Sequence, residues 1–311
     1  MPSRREVIQG VAAALSQLTA ARLATAFGLE SAATLGAIRA VTITADRLKP
    51  VEDAWTKFMG YRAVRRGSLP RATAESWDAP HLTGKPFVIL GPESGEPTYL
   101  RFVEQPMPAD STTERSLGWT ATEITVQNTD DLYERLRDSP FKVSKPPAQI
   151  PTYPYLRAMQ AIGPARERLN LTWITEPRPD LAVAKSFVGR CFIAVLGAPD
   201  LPEALQFYQT RFGNTSSPIR ELPSLKLAVV PLKDGTKIEV DHLGAQTPRR
   251  MRPEGGLPTG LAVVTFECSQ LDALRDRFVS HPTRTALEPH PGRRSVIVRG
   301  VAGELLELLE S

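Results

Sequence analysis

The sequence has few of the residues that usually hold transition metals or form disulfides. Its 311 residues include 2 cysteines and 4 histidines. Cys191 and Cys268 cannot by themselves form a disulfide framework or a zinc site. Because both lie in apolar runs typical of strands, we expect buried free thiols. Histidine-based metal chemistry has correspondingly few ligands available.

Long apolar runs and long runs of one charge are also missing. No stretch of about 18 uninterrupted apolar residues is present, so the sequence predicts no transmembrane helix. The 38 basic and 34 acidic residues are interspersed and give a formal net charge of +4. Without a basic stripe interleaved with aromatic residues, nucleic acid is not an expected partner. The partner we expect is a small-molecule ligand.

Residues 1–36 support two interpretations. Arg4 and Arg5 precede a weakly apolar stretch, and residues 24–26 resemble a small-residue cleavage site, as in a twin-arginine export signal. Arg22 interrupts that stretch. The same segment has apolar residues at helical spacing, namely Ile8, Val11, Leu15 and Leu18. We therefore expect a cytoplasmic protein with a retained N-terminal helix, and a periplasmic protein is the alternative.

A unit of one strand, one helix and about three further strands occurs four times. The units begin near residues 40, 121, 191 and 261. In the first unit, apolar alternation around Val41 predicts a strand, and apolar spacing from Val51 to Phe58 predicts a helix that ends at Gly60. Such a unit has one apolar sheet face that it cannot bury alone, so the units should pair.

Three segments carry a family resemblance. "DLPEALQFYQTRFG" at residues 200–213 resembles the first helix of a module in the vicinal oxygen chelate superfamily. "SQLDALRDRF" at residues 269–278 resembles the start of the second module, and "GELLELLE" at residues 303–310 resembles its closing strand. That superfamily includes glyoxalase I, bleomycin-resistance proteins and extradiol dioxygenases.

The resemblance implies an α+β fold of four βαβββ modules, which begins after the N-terminal helix or signal. It implies two tandem domains at residues 37–176 and 187–311, joined by a linker at residues 177–186. Each pair of modules would curl into an incomplete barrel around a cavity. Because members of the superfamily often dimerise, a homodimer is also compatible with the resemblance.

In metal-dependent members, ligands come from the first strand of a module, often histidine, and from its last strand, usually glutamate. The matching first-strand positions hold no histidine; they are Ala40, Ala121, Cys191 or Arg190, and Val263 or Ala262. The last-strand positions are Arg101, Thr172, Glu239 and Glu307. Carboxylates without nitrogen ligands make a poor transition-metal site, so we expect no metal and no other cofactor. Magnesium or calcium with water ligands is a disfavoured alternative.

The surviving carboxylates are the first candidates for chemistry. Glu307 and Glu239 are expected to act as a general base or as a carboxylate pair that shares a proton, since burial raises a carboxyl pKa. The alternative is a structural glutamate paired with an arginine such as Arg299. His242 follows Glu239 by three residues and is a candidate at the cavity rim.

A second set of candidates is aromatic. We expect Tyr153, Trp119 and Trp173 to wall a cavity in which Arg101 binds a planar anionic or phenolic ligand, because guanidinium groups recognise carboxylates and rings stack. Tyr155 is a candidate proton carrier in the same cavity. The alternative is that the tryptophans are core residues and that Arg101 is solvated.

These candidates favour a metal-independent lyase or isomerase that acts by proton transfer on a small aromatic or unsaturated metabolite, as in aromatic compound catabolism. The base would be Glu307, Glu239 or Tyr155, and Arg101 or Arg299 would stabilise developing negative charge. One alternative is a non-catalytic protein that binds a drug or metabolite. Another is a metal-dependent dioxygenase with unusual ligands.

Overall fold

A computed structural model describes residues 33–108, 116–222, 225–285 and 290–311. The predicted N-terminal helix or twin-arginine segment therefore lies outside the described residues, apart from its last positions. Those positions are not helical: the first strand already begins at Thr34, and Leu35 is buried in it. Among the described residues, no helix has the length and hydrophobicity needed to cross a membrane.

Two mixed sheets of eight strands form the described part of the chain. The strands of the first sheet are β1 (Thr34–Ala45), β2 (Arg62–Ser68), β3 (Pro86–Gly91), β4 (Tyr99–Glu104), β13 (Leu261–Ser269), β14 (Thr283–Arg284), β15 (Arg294–Arg299) and β16 (Leu305–Glu310). Their order across the sheet is β14-β15-β16-β13-β1-β4-β3-β2.

The second sheet has the same arrangement. Its strands are β5 (Gly118–Val126), β6 (Lys142–Ile150), β7 (Tyr153–Ile162), β8 (Arg168–Ile174), β9 (Val188–Ala198), β10 (Arg220–Leu222), β11 (Leu225–Pro231) and β12 (Lys237–His242). Their order is β10-β11-β12-β9-β5-β8-β7-β6. In each sheet the two central strands run antiparallel, and each pairs in parallel with the last strand of its own unit.

The sheets do not pair the units in chain order. Unit one shares a sheet with unit four, and unit two shares a sheet with unit three. The sequence analysis placed units one and two in one domain and units three and four in the other. Strand alternation identifies a unit but not its partner, since every unit offers the same kind of strand edge. The boundaries at residues 176 and 187 therefore do not separate the sheets, and residues 33–311 form one compact unit.

Short helices cover one face of each sheet. The helices are α1 (Leu48–Met59), α2 (Arg71–Ser76), α3 (Thr129–Leu136) and α4 (Leu201–Phe212), with 3-10 turns at Pro80–Leu82, Lys233–Gly235 and Leu271–Arg277. The side chains of Asn128 and Asp200 cap α3 and α4 at their N-termini. Gly60 and Gly213 end α1 and α4 at positive φ of 70° and 65°, which favours glycine.

The face of each sheet away from the long helices is concave. In the second sheet, Arg220 on the edge strand β10 lies 5.1 Å from the ring of Tyr153, which is next to the opposite edge. In the first sheet, Phe87 of β3 and Ile297 of β15 belong to one buried apolar cluster although four strands separate β3 from β15. Both sheets therefore curl, as the resemblance implied, and each has an interior face.

A turn that occurs in both unit two and unit four forms hydrogen bonds to the unit before it, unit one and unit three respectively. In "GPARE" and "GVAGE", Glu167 and Glu304 fold under the turn, and each accepts a backbone N–H from two residues earlier. Trp55 of α1 donates to Glu167 over 2.9 Å, and Tyr208 of α4 donates to Glu304 over 3.1 Å. Units one and two, and likewise units three and four, therefore contact through these buried side chains. Sheet hydrogen bonds link unit one to unit four and unit two to unit three.

These two carboxyls predict a pH dependence of stability. Burial raises the pKa of Glu167 and of Glu304 from 4.5 to about 7. Between these values the native state binds more protons than the unfolded state, so the free energy of unfolding should fall as pH rises from about 5 to 7. Urea unfolding at several pH values should show a smaller fall in the Glu167→Gln/Glu304→Gln double variant. The exposed control Glu134→Gln should keep the wild-type slope, and equal slopes in all three proteins would contradict the assignment.

Candidate functional site

Glu307 lies on the interior face of the first sheet and accepts three hydrogen bonds. Its Oε1 accepts from Trp77 Nε1 over 2.9 Å. Its Oε2 accepts from Thr265 Oγ1 over 2.6 Å and from Arg101 Nη1 over 3.2 Å. Arg101 also donates to Thr42 Oγ1 over 3.2 Å. Glu307 and Arg101 are each 3% exposed, so this is a buried ion pair.

The charge state of Glu307 follows from these contacts. Burial alone would raise its pKa, but the charge of Arg101 and the hydrogen bonds of Thr265, Trp77 and Arg101 lower the pKa below the ordinary value. A carboxylate with a lowered pKa and no free lone pair facing solvent is a weak base. The arrangement therefore supports the structural interpretation of Glu307, with Arg101 as its partner instead of Arg299.

The register corrects the ligand positions expected for this sheet. Thr42 lies opposite Arg101 and Thr265 lies opposite Glu307, so these threonines replace Ala40 and Val263 as the first-strand positions. The sequence analysis placed the first-strand positions two residues away, because no short turn in the sequence fixes the register of β1 and β13 with their neighbouring strands. Trp77 was missed because it comes from the insertion between β2 and β3, which has no counterpart in the repeat.

The interior of the first sheet is filled by the chain itself. The insertion at residues 69–85 contributes Leu69, Trp77 and Leu82, and the loop before β13 contributes Leu257. They pack against interior side chains of the sheet, namely Phe87, Ile89, Val103, Val263, Ile297 and Leu305. Through Leu257, the loop before β13 therefore covers part of this interior face.

The interior face of the second sheet combines half-buried polar side chains with a small buried apolar cluster, in which Ile193 and Val195 pack against Leu181 and Ala182. Three carboxylates lie on it, because Glu239 and Asp241 alternate along β12 and Glu123 interrupts the apolar strand β5. Thr172 Oγ1 donates to Glu123 Oε1 over 2.5 Å. Asp241 Oδ1 has no hydrogen-bond partner in the part of the chain that the structure describes. We call these three residues the carboxylate group of the second sheet.

Their pKa values are all raised. Burial, followed by the charges of Asp241 and Glu123, raises the pKa of Glu239 well above its ordinary value. Burial and the charge of Asp241 raise the pKa of Glu123 to about 7, although Thr172 and Lys237 oppose this shift. Burial raises the pKa of Asp241 to about 6. The group therefore retains protons at a higher pH than exposed carboxyls do.

Sequence reasoning found Glu239 but missed its partners. It paired Glu239 with Glu307, and the two lie on different sheets. A period of two places Asp241 on the same strand face as Glu239, and that signal was available. The same rule places His242 on the opposite face, where it is exposed, so it does not join Glu239. Glu123 comes near Glu239 only because units two and three share a sheet, and the sequence analysis did not predict that pairing.

The predicted aromatic cavity does not form as one site. Arg101 belongs to the first sheet, whereas Tyr153, Tyr155 and Trp173 belong to the second. Trp173 packs against the main apolar core, as the core interpretation of the tryptophans expected. Tyr153 and Tyr155 lie together on β7, with ring centroids 5.9 Å apart, and Arg178 lies 4.1 Å from the Tyr155 ring.

Trp119 and Arg299 meet at a different place. Trp119 is 1% exposed, and its Nε1 donates to the carbonyl of Leu305 over 2.9 Å. Arg299 lies 3.7 Å from Asp78, and Glu307 pairs with Arg101 instead. Both residues line a small cavity beside the turn between β15 and β16. By strand alternation Arg299 lies at the end of the interior face of the first sheet, on the same side as Ile297, whereas Trp119 packs against Phe266 in the main core. Neither residue lies in the carboxylate group of the second sheet.

Neither interior face fits a transition metal. In the first sheet the four converging positions hold two threonines, one glutamate and Arg101, and a guanidinium cannot ligate a cation. Among the described residues, no group of three or more histidine, cysteine, aspartate or glutamate side chains is arranged to hold a metal ion. The side chains on these faces therefore do not form the metal site that the resemblance implies.

Solved structures share the fold of this chain. Glyoxalase I from Zea mays matches it with a TM-score of 0.62 and 13% identity, over 89% of this chain and 93% of that chain. A candidate dioxygenase from Bacillus subtilis matches with a TM-score of 0.64 and 12% identity, over 89% of this chain and 86% of that chain. No family model matches the sequence, and no curated protein does. The resemblance is thus confirmed as a glyoxalase/bleomycin resistance/dioxygenase fold.

The buried ion pair of the first sheet predicts a large stability effect. Arg101→Met or Glu307→Met leaves one buried charge without its partner, so each should lower the free energy of unfolding by about 3–5 kcal/mol. The double variant Arg101→Met/Glu307→Met should lose less than the sum, as measured by urea unfolding. The exposed pair Arg137 and Glu134, changed in the same way, should cost less than about 1 kcal/mol. Additive losses at Arg101 and Glu307 would show that the two charges do not depend on each other.

The donor set also predicts the metal content. Purified protein should contain well below one equivalent of iron, manganese, nickel or zinc by elemental analysis, because no ligand group converges on either interior face. Treatment with a chelator should leave the melting temperature unchanged. One equivalent of metal whose removal lowers the melting temperature would contradict this assignment.

Proposed function

We propose that this protein is a metal-independent enzyme, a lyase or isomerase, that transfers protons on a small unsaturated or aromatic metabolite at the carboxylate group of the second sheet. The observation that carries the proposal is the set of three carboxyls with raised pKa values on one half-buried face. A group whose pKa is close to the working pH transfers protons most effectively. Glu307, with its lowered pKa and three hydrogen bonds to buried donors, supports this role less well.

Glu239 is the proposed proton carrier. It makes no hydrogen bond or ion pair with another described side chain, so its oxygens are available to a ligand, whereas Glu123 is held by Thr172. In the proposed reaction the Glu239 carboxylate removes a proton from carbon beside an electron-withdrawing group. The resulting carboxylic acid returns a proton to another carbon in an isomerisation, or the electron pair expels a leaving group in an elimination.

Two basic residues are placed to stabilise negative charge in such a reaction. Lys237 lies two residues before Glu239 on the same face of β12, and its charge opposes the raised pKa of Glu123. Arg168 acts in the same way on Asp241. In the second sheet these cations take the role that the sequence analysis gave to Arg101 and Arg299. Fixed positive charge near a developing anion lowers the barrier to proton abstraction.

A non-catalytic binding protein is the second candidate, and one observation favours it. Tyr153 and Tyr155 lie under Arg220 and Arg178 at the rim of the curled second sheet. Aromatic rings and guanidinium groups in this arrangement suit a planar anion without any need for a base. In the proposed enzyme the same residues would bind and orient the substrate, with Tyr155 contacting the ligand.

Hydrogen–deuterium exchange into bound ligands distinguishes the two candidates. A panel of small phenolic and unsaturated acids would first be screened by thermal shift, and stabilising compounds would be incubated in D2O with the protein and followed by NMR. We expect protein-dependent exchange at one carbon position, with a rate that rises with pH as Glu239 loses its proton. Glu239→Gln should lower the exchange rate by at least about 100-fold, the usual contribution of a general base.

The matched control is Glu221→Gln on the edge strand β10 of the same sheet, where the carboxylate is exposed and paired with Lys226. This variant should exchange at the wild-type rate. Ligand binding without exchange in the wild-type protein would instead support the non-catalytic candidate. Unchanged exchange in Glu239→Gln would remove Glu239 from the mechanism.

A further inference from the structure

A small cavity lies at one end of the first sheet, beside the turn between β15 and β16, and its lining includes neither Glu307 nor the carboxylate group of the second sheet. Its volume is about 180 Å³. The loop before β13 and the start of β5 form its other walls. The polar side chains that line it are Arg249, Arg250, Arg252, Arg299 and Glu304, and Trp119 forms part of its apolar wall. Neither the proposed proton transfer nor the buried ion pair of Glu307 uses this cavity.

The positive charge of the arginines in the cavity exceeds the negative charge of the nearby carboxylates. Asp78 pairs with Arg252 over 3.1 Å and lies 3.7 Å from Arg299. Glu304 is occupied by Tyr208 and by the backbone of its own turn, and burial raises its pKa to about 7. Four guanidinium groups therefore face one exposed aspartate and one partly protonated glutamate.

The arginines in this cavity repel one another. Burial and the charge of Arg168 lower the pKa of Arg250 to about 10. Arg250 donates from Nη1 to the carbonyl of Thr259, and its buried Nε and Nη2 have no partner among the described residues. Burial, with the charges of Arg252 and Arg249, lowers the pKa of Arg299 although Asp78 opposes the shift. A bound anion would relieve this repulsion.

Two arginines are available to contact an anion directly. The side chain of Arg249 makes no hydrogen bond or ion pair to another described residue, and it reaches the backbone at Gly303. A Cβ on Gly303 would lie 2.5 Å from Arg249 Nη1, and the φ of +83° also favours glycine there. Arg299 keeps donors free because Asp78 is beyond hydrogen-bond distance. Arg252, in contrast, already donates to two backbone carbonyls.

We infer that this cavity is a binding site for a small oxyanion, either free phosphate or the carboxylate of a small organic acid. Arg249 and Arg299 would donate to the oxyanion, since guanidinium groups match the geometry of both ions. Arg250 supplies buried positive charge behind them. The apolar wall of Leu117, Trp119, Pro258 and Leu261 leaves room for a short apolar body on the ligand.

Calorimetric titration of the full chain tests this site. Sodium phosphate and sodium benzoate would be titrated separately at low chloride concentration into the wild-type protein and into Arg249→Gln and Arg299→Gln. Saturable one-site binding of at least one ion is expected, weakened at least about tenfold in both variants, since each loses a charge-assisted hydrogen bond to the ion. Tighter phosphate binding would identify a phosphate site, and tighter benzoate binding would identify an organic-acid site.

Two controls keep the result specific. Arg137→Gln removes an exposed arginine on the surface beyond α3 and should bind as the wild-type protein does. Arg299→Lys keeps a positive charge and should recover part of the affinity lost in Arg299→Gln. Because Arg249 is exposed, its variant should fold normally, as circular dichroism would verify. Absence of saturable binding of both ions, or equal affinity in wild type and both glutamine variants, would overturn the inference.

Discussion

The buried pair of Arg101 and Glu307 determines what the first sheet of this protein is able to do. A carboxylate placed where the fold usually directs ligands toward a cavity is neutralised by a guanidinium from a neighbouring strand. Thr265 and Trp77 also donate hydrogen bonds to it. The desolvation cost of two buried charges is offset only while all these contacts are present together. In the first sheet, the positive charge next to Glu307 therefore comes from Arg101, a residue of the chain itself.

The second sheet has the same strand order and the opposite chemistry. Its interior face carries Glu123, Glu239 and Asp241 without a buried arginine among them. Burial raises the pKa of all three, and the charges of neighbouring carboxylates add to the shift at Glu123 and Glu239. The difference arises from what covers each face. An insertion with Trp77 fills the first sheet, and the second sheet keeps a half-buried polar face. One half is thus suited to stability, and the other is suited to holding and releasing protons.

The loop before β13 connects these features to a third one. Leu257 closes the interior of the first sheet, while the arginines that precede it turn toward the cavity beside the turn at Gly303. Arg168 lies close enough to lower the pKa of both Asp241 and Arg250. The acidic face and the basic cavity are therefore electrostatic neighbours. An anion in the cavity would change the charge balance that the carboxylate group experiences.

The repeat, the α+β class and the strand-helix-strand order of each unit follow from the sequence alone, because apolar periodicity is a local property. Glu239 and Glu307 are recognisable as acidic residues inside apolar strands for the same reason. Only the tertiary structure decides that unit one pairs with unit four, because all units present equivalent strand edges. That pairing places Arg101 on Glu307 and Glu123 near Glu239, and contacts between residues more than 100 positions apart leave no periodic signal in the chain.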